Sequence, residues 1–325
     1  MMLSYLMLLL VLKSMIKKTN PEAVLMAGCG WCTYRPKEMM MLNPEVDIVC
    51  VGEGEITIQE IVEGKQYSDI KGIWYREDGE IIETAPKPLI DNIDTLPYPA
   101  YDLMPMDIYF KHSATMDSLE AMQSKRRVDG CYERGCPRSC AFCSHNGASR
   151  YDLVMIHGKE TVREMDAEYG FQDVARWNSP KYIAEHTWYL INEFNCDFIM
   201  NLDENLCSNK KRVFEMCDRF ISEGLNKKIK WGSLGDSASV SDEMLYKMKE
   251  AGCTYISYGG ESASDRILLK DIGKGTTRAH NQHAVDCMKR VGMRPLMTFQ
   301  IGFPSETIDD ILETTHFFVV NNIKS

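Results

Sequence analysis

From Arg127 to the end, the chain alternates short, almost wholly apolar runs with longer stretches of helical pattern, and this alternation most restricts the fold. The runs are Arg127 to Tyr132, Phe198 to Leu202, Ile229 to Leu234, Thr254 to Tyr258 and Leu296 to Gly302. Runs that lack polar alternation read as strands buried on both faces, which calls for parallel pairing with helices packed on the sheet. The segments between them carry helix punctuation: Ser179 before Pro180, Ser208 with Gly224 later, and Ser241 before Asp242 and Glu243 with Gly252 behind. Over 208–225, Val213, Phe214, Cys217, Phe220 and Ile221 fall on one helix face, suited to packing on a sheet. Five consecutive strand–helix units predict an open or closed parallel barrel, with function at the C-terminal ends of its strands.

The preceding chain reads as a second unit. Ala23 to Met26 and Ile48 to Val51 are apolar runs closed by glycines, with a helical stretch at Thr57 to Val62, and predict part of a doubly wound α/β domain. Ile73 to Tyr75 and Ile81 to Thr84 flank Asp78-Gly79 and predict an appended hairpin. Prolines 86, 88, 97, 99 and 105 discourage regular structure. The expected organisation is therefore a partial Rossmann-like domain over 1–85, a linker over 86–120 and a barrel over 121–325, truncated after its fifth strand. Met1 to Leu12 is apolar, but far shorter than the roughly 20 residues of a membrane helix, and it lacks the flanks of a signal peptide. It reads as a buried helix continuing to Asn20-Pro21, with further chain expected upstream.

A net charge of −10 offers no general basic surface, so nucleic acid is not an expected partner. Twelve unevenly clustered cysteines suit a reducing compartment, the cytoplasm, and a metal site. The densest cluster follows the first barrel strand: Arg134-Gly135-Cys136-Pro137-Arg138-Ser139-Cys140-Ala141-Phe142-Cys143. Three thiolates bind three irons of a cubane and leave the fourth open to a further ligand, whereas four would saturate it. A zinc site would ordinarily pair C-x2-C units, and no second pair lies nearby. Cys29-Gly30-Trp31-Cys32 completes no site alone and reads as two loop cysteines.

The C-x3-C-x-aromatic-C pattern of Cys136, Cys140, Phe142 and Cys143 resembles the signature of the radical S-adenosylmethionine (SAM) superfamily, and the resemblance runs from about Arg126 to the last residue. It implies a TIM-like (β/α)6 barrel, a 4Fe-4S cluster, and SAM chelated to the vacant iron and cleaved reductively to a 5′-deoxyadenosyl radical. It also implies site residues, where positions match. In Leu202-Asp203-Glu204-Asn205, Asp203 and Glu204 would face the methionyl amine; in Tyr258-Gly259-Gly260-Glu261-Ser262, Glu261 would accept from the ribose hydroxyls, with Ser262 beside it. Lys274-Gly275-Thr276-Thr277 fits the same template. Gln300-Ile301-Gly302-Phe303-Pro304 would lay Ile301 and Gly302 along the adenine, with Phe142 near its other side. Where many relatives carry a base for the methionyl carboxylate, this chain has Asp236.

The first hundred residues resemble the C-terminal half of a cobalamin-binding domain, through Asn20-Pro21, the Gly28 loop, Val51-Gly52-Glu53-Gly54-Glu55 and Pro97-Tyr98-Pro99-Ala100. Cobalamin is thus implied by architecture, although the cobalt-ligating Asp-x-His-x-x-Gly motif is absent from this sequence. The expected function is methyl transfer to, or cyclisation or rearrangement of, a small molecule, with a flavodoxin- or ferredoxin-like electron donor. The alternatives are a methylthiotransferase-like enzyme and a non-catalytic iron–sulfur or zinc protein. Asn146 to Arg176 is expected to be a long loop at the catalytic end, and His145 is left without a role.

Overall fold

The computed structural model describes residues 15–112, 123–138, 140–143, 160–161 and 175–323. The apolar start, His145 and nearly all of the loop expected over Asn146 to Arg176 lie outside them. The chain divides into two compact units, Met1–Asp91 with Ser144–Val174, and Asn92–Cys143 with Ala175–Ser325.

In the first unit, β1 (Met26–Ala27) pairs in parallel with β2 (Ile48–Cys50), joined by the short helices α1 (Gly30–Tyr34) and α2 (Pro36–Leu42). Helix α3 (Glu55–Val62) follows, and then β3 (Ile73–Glu77) and β4 (Glu80–Glu83). Asp78 and Gly79 both take positive φ, 51° and 84°, as a two-residue type I′ turn requires. The hairpin does not hang off the sheet: β3 pairs antiparallel with β2, so the order is β1-β2-β3-β4 and only the first pair is parallel. Burial splits by strand face. Val49 packs with Met39, Met40 and Cys32, while Ile48 packs with Ile70, Ile73 and Tyr75 on the other side. Cys32 therefore lies in a helix and a core, and burial, with Cys29 and Cys50 nearby, pushes its thiol up to about 11.

The second unit opens with two 3-10 turns and α4 (Met106–His112) and is built on a wholly parallel sheet in the order β11-β10-β9-β8-β5. These strands are β5 (Arg127–Gly130), β8 (Phe198–Asn201), β9 (Lys230–Gly235), β10 (Cys253–Glu261) and β11 (Met297–Phe299). All five runs expected to be strands are present, and the α/β barrel class holds. A separate two-residue ladder pairs β6 (Glu133–Arg134) with β7 (Arg176–Trp177).

The helices start where their caps dictate. Ser179 accepts the Tyr182 N–H at 3.1 Å to open α5 (Pro180–Phe194), and left-handed Asn195 closes it. Asn209, and not Ser208, caps α6 (Lys210–Ser222), because Ser208 is used in the preceding 3-10 turn. Ser241 caps α7 (Asp242–Glu250). A short helix α8 (Asp265–Ile267) runs into a π-helical turn, Leu268–Ile272, followed by α9 (Arg278–Val291) and α10 (Ile308–Val320). Alternate strand residues feed two cores. Ile199 and Trp231 meet Val213, Met216, Cys217 and Phe220 of α6 in the main cluster. Phe198 and Met200 meet Tyr255 on the opposite face, where the Tyr255 ring so closely covers Gly232 that a Cβ there would lie 2.2 Å from it.

Candidate functional site

Parallel pairing gathers the C-terminal ends of all five strands on one edge of the sheet, and the cysteine loop, Asp203, Glu204, Asp236, Glu261, Ser262, Ile301 and Gly302 each lie at or after such an end. From β5 the chain passes Cys131 and Tyr132, is pinned by the β6–β7 ladder, turns at Gly135 (φ 83°) and enters the cysteine loop. Cys136 is buried, Cys140 half-buried and Cys143 exposed; none is in a disulfide. The Ala141 N–H donates to the Ile272 carbonyl at 2.9 Å and so fastens the loop, while the Cys143 N–H closes a turn within it on the Cys140 carbonyl at 3.1 Å. Burial pushes the Cys136 thiol up to about 12, with Glu204 and Glu133 adding to it against a backbone hydrogen bond from Arg138. Phe142 is exposed, its ring 6.1 Å from that of Phe303.

The two carboxylates after β8 differ. Asp203 is fully buried; one oxygen accepts the Tyr132 N–H at 2.6 Å and the other pairs with the Arg212 guanidinium at 3.0 Å. Arg212 also donates to the Tyr132 and Asn178 carbonyls, at 2.9 and 3.2 Å. Asp203 thus fixes the chain entering the cysteine loop, and both its oxygens are engaged within the protein. Glu204 is half-buried, and its charge reaches Cys136. Glu133 was not singled out in the sequence. Burial and the neighbouring Asp203 charge push its carboxyl up to about 8.

At the end of β9, Asp236 is 2% exposed, and one oxygen collects Arg138 through two nitrogens, at 3.1 and 3.0 Å, and the Asn205 amide at 2.6 Å. Burial alone would raise this carboxyl, yet Asn205 and Arg138 hold it below the usual range. The acid found where relatives have a base is thereby matched with a base from the cysteine loop. Arg138 and Asn205 were missed in the sequence because the pairing spans 98 and 31 residues.

At the end of β10, Glu261 takes a left-handed backbone (φ 59°), rare for a residue with a side chain, and does not cap a helix. One oxygen pairs with Lys274 at 2.8 Å and the other accepts from Gln300 at 3.2 Å. A Cβ on Gly259 would lie 2.3 Å from that carboxylate, so any side chain there would displace the Glu261–Lys274 pair. Ser262 is fully buried, its hydroxyl 3.2 Å from that of Thr314 on α10. Past β11, the Gln300 N–H donates to the Glu261 carbonyl at 2.9 Å, leaving Ile301 exposed and Gly302 at φ 105° on the rim.

The structure thus brings the cysteine loop, Glu204, Glu261, Ile301 and Gly302 to one rim and turns Asp203 and Ser262 inward. Among the described residues, no three His, Cys, Asp or Glu side chains converge as ligands of a single ion do. A cubane asks for thiolates on three separate irons, and three thiols from one short loop are a suitable donor set for it. A cavity of about 480 Å³ opens at the edge of β5, lined by Tyr101, Met106, Tyr109, His112 and Asp129, and shares no residue with this rim.

Residues 133–318 match the family model described as the Radical SAM superfamily. The chain is similar to an uncharacterized methyltransferase of Pyrococcus horikoshii, with 32% identity over 93% of this chain and 59% of the relative. It is also similar to the anaerobic magnesium-protoporphyrin IX monomethyl ester cyclase of Cereibacter sphaeroides, with 25% identity over 90% of this chain and 44% of that protein. Among solved structures it resembles the cobalamin-dependent SAM radical enzyme OxsB with aqua-cobalamin and SAM bound, at a TM-score of 0.67 and 20% identity, covering 97% of this chain and 41% of that one. The chain spans about half the length of the proteins it matches.

Proposed function

Since the chain belongs to the radical SAM superfamily, we propose that it carries the SAM-cleaving centre of an enzyme that methylates, cyclises or rearranges a small-molecule substrate. The observation that carries this reading is the loop of Cys136, Cys140 and Cys143, fastened beyond the first of five parallel strands, with the other strand ends converging around it. These thiolates would hold the 4Fe-4S cluster. When bound, the cluster supplies one electron to the sulfonium of SAM, which yields methionine and a 5′-deoxyadenosyl radical.

The residues divide the remaining work. Glu204 would serve as counter-charge to the methionyl amine. Glu261, already oriented by Lys274 and Gln300, retains lone pairs for the ribose hydroxyls. Phe142 and Ile301 offer exposed apolar surface to the adenine, and Gly302 leaves its backbone open to close approach. Asp203 and Ser262 act one layer below, as scaffold for the strand ends. Phe198, Met200 and Tyr255 close the sheet face with apolar groups, which limits water near a radical.

Residues 1–85 then read as part of a cobalamin-binding-like domain and 121–325 as the barrel, with 86–120 between them. Cobalamin is supported by the likeness to a cobalamin-dependent enzyme. A small reduced electron carrier of the flavodoxin or ferredoxin kind and a cytoplasmic setting complete the proposal. Among the described residues, no helix is long and apolar enough to cross a membrane.

Anaerobic reconstitution with iron and sulfide, followed by electron paramagnetic resonance of the reduced protein with and without SAM, tests the centre. About four irons per chain are expected, with a spectrum altered by SAM and release of 5′-deoxyadenosine. Serine at Cys136, Cys140 or Cys143 should abolish all three. Zinc in place of iron, or serine variants that keep iron and SAM cleavage, would overturn the reading. Product analysis then separates methyl, methylthio and cyclised outcomes.

A further inference from the structure

The cysteine loop rests on an unusual piece of backbone. Leu268–Ile272 winds as a π-helix, a rare form that occurs often at functional sites, and Gly273 ends it at φ 67°. The carbonyl of Ile272 is the one that receives the Ala141 N–H, and Cys140 packs against Ile267, Leu268 and Ile272. Two residues further on stands Lys274, 9% exposed, whose ammonium donates to the Gly259 carbonyl at 2.7 Å and to Glu261 at 2.8 Å. Lysine is almost never this buried unless paired.

A buried ion pair is a weak source of stability, because desolvating two charges offsets most of their attraction; well-packed apolar side chains often do as well. The position of this pair suggests what else it does. Cys140 packs on the turn that ends two residues before Lys274, and Lys274 holds Glu261 at 2.8 Å, so a fixed cation and a fixed anion are both built into the wall that carries this cluster ligand.

We propose that Lys274 and Glu261 are positioning residues that set the reduction potential of the cluster held by Cys140, Lys274 favouring the reduced form and Glu261 the oxidised form. This rests on the cluster assignment above. Uptake of one electron makes the cluster and its thiolates more negative by one charge. A nearby fixed cation stabilises that state, and a nearby carboxylate destabilises it. As a pair they nearly cancel, so neutralising either one alone moves the potential, in opposite directions.

The test is a potentiometric titration of the reconstituted full chain without SAM, comparing wild type with Lys274→Met, Glu261→Gln, the double variant and Lys274→Arg. Lys274→Met should lower the reduced-to-oxidised ratio at a fixed poise about tenfold, which is about 59 mV for one electron, and Glu261→Gln should raise it by a similar factor. The double variant, again neutral as a pair, should return to within about twofold of wild type, as should Lys274→Arg, which keeps the charge. A merely structural pair would not give opposite signs or cancellation. Singles that shift the same way, a double variant that adds their effects, or no shift at all would overturn the inference and leave the cluster assignment standing. A wild-type chain that assembles no cluster would overturn both. If Lys274→Met fails to assemble one, the sign of Glu261→Gln and the return in the double variant still decide.

Discussion

Two acid–base pairs lie under the same rim, and they serve different ends. Asp203 and Arg212 are 0% and 4% exposed, and their polar atoms are spent on Tyr132 and Asn178, the backbone on either side of the cysteine loop and its short ladder. Glu261 and Lys274 are nearly as buried, but Lys274 stands just past the π-helical turn on which Cys140 packs, and the pair keeps the rim-facing Gln300 as its third member. The first pair fixes where the loop begins. The second places charge beside it. A carboxylate at a strand end is thus not in itself a cofactor contact; what engages its oxygens decides.

Arg212→Met should have the largest effect on the sealed pair. Removing one partner of a buried pair leaves the other charge uncompensated and costs about 3–5 kcal/mol, which urea denaturation of the iron-free chain would register as a large fall in unfolding free energy. A loss below about 1 kcal/mol would mean that Asp203 reaches solvent or another cation, and that the two pairs are not distinct in kind.

A smaller effect comes from His186, which belongs to the same sealed side. Its Nδ1 lies 3.0 Å from the Tyr132 hydroxyl and its ring 4.6 Å from that of Tyr98, and burial pushes its pKa down to about 4. A free histidine titrates near 6.5, so between about 6.5 and 4 the unfolded chain binds a proton that the folded one refuses. Stability from this group is complete above pH 6.5 and falls as the pH drops towards 4, by about 3 kcal/mol at most. Urea titrations at several pH values, for wild type and for His186→Gln, should differ in slope across that window and run parallel above it. Parallel curves throughout would place the imidazole in contact with solvent.

What sequence reasoning found and missed follows from the range of each interaction. Strand runs, caps such as Ser179 and Ser241, and the three cysteines depend on neighbours within a few residues, and they are legible. The Asp78-Gly79 hairpin was equally plain, but its antiparallel docking on β2 was not, since that depends on a partner strand over twenty residues away. Asp203 and Glu204 look interchangeable as letters; they separate only because Arg212, in the first turn of the next helix, takes the first. Asp236 looked like a missing base, and its partner Arg138 comes from the cysteine loop. Lys274 stood in a recognised motif with no role, and the π-helical turn that brings it near Cys140 leaves no periodic signal.

The mildest substitution probes the rim pair most directly. Gly259→Ala adds a Cβ 2.3 Å from Glu261 Oε1 and 2.5 Å from Lys274 Nζ. Both are ends of flexible side chains, so the clash is relieved by moving them and not the strand, and the stability cost should be about 1 kcal/mol. The pair cannot, however, keep its 2.8 Å contact in place. A nearly unchanged melting curve, with a cluster potential displaced from wild type, would separate the charge arrangement from the fold that carries it. The same methyl on Gly232 would meet the Tyr255 ring, a bulky group inside a core, and should cost more stability. If the two alanines prove equally destabilising, the rim pair is as rigidly enclosed as the sealed one, and the distinction between them fails.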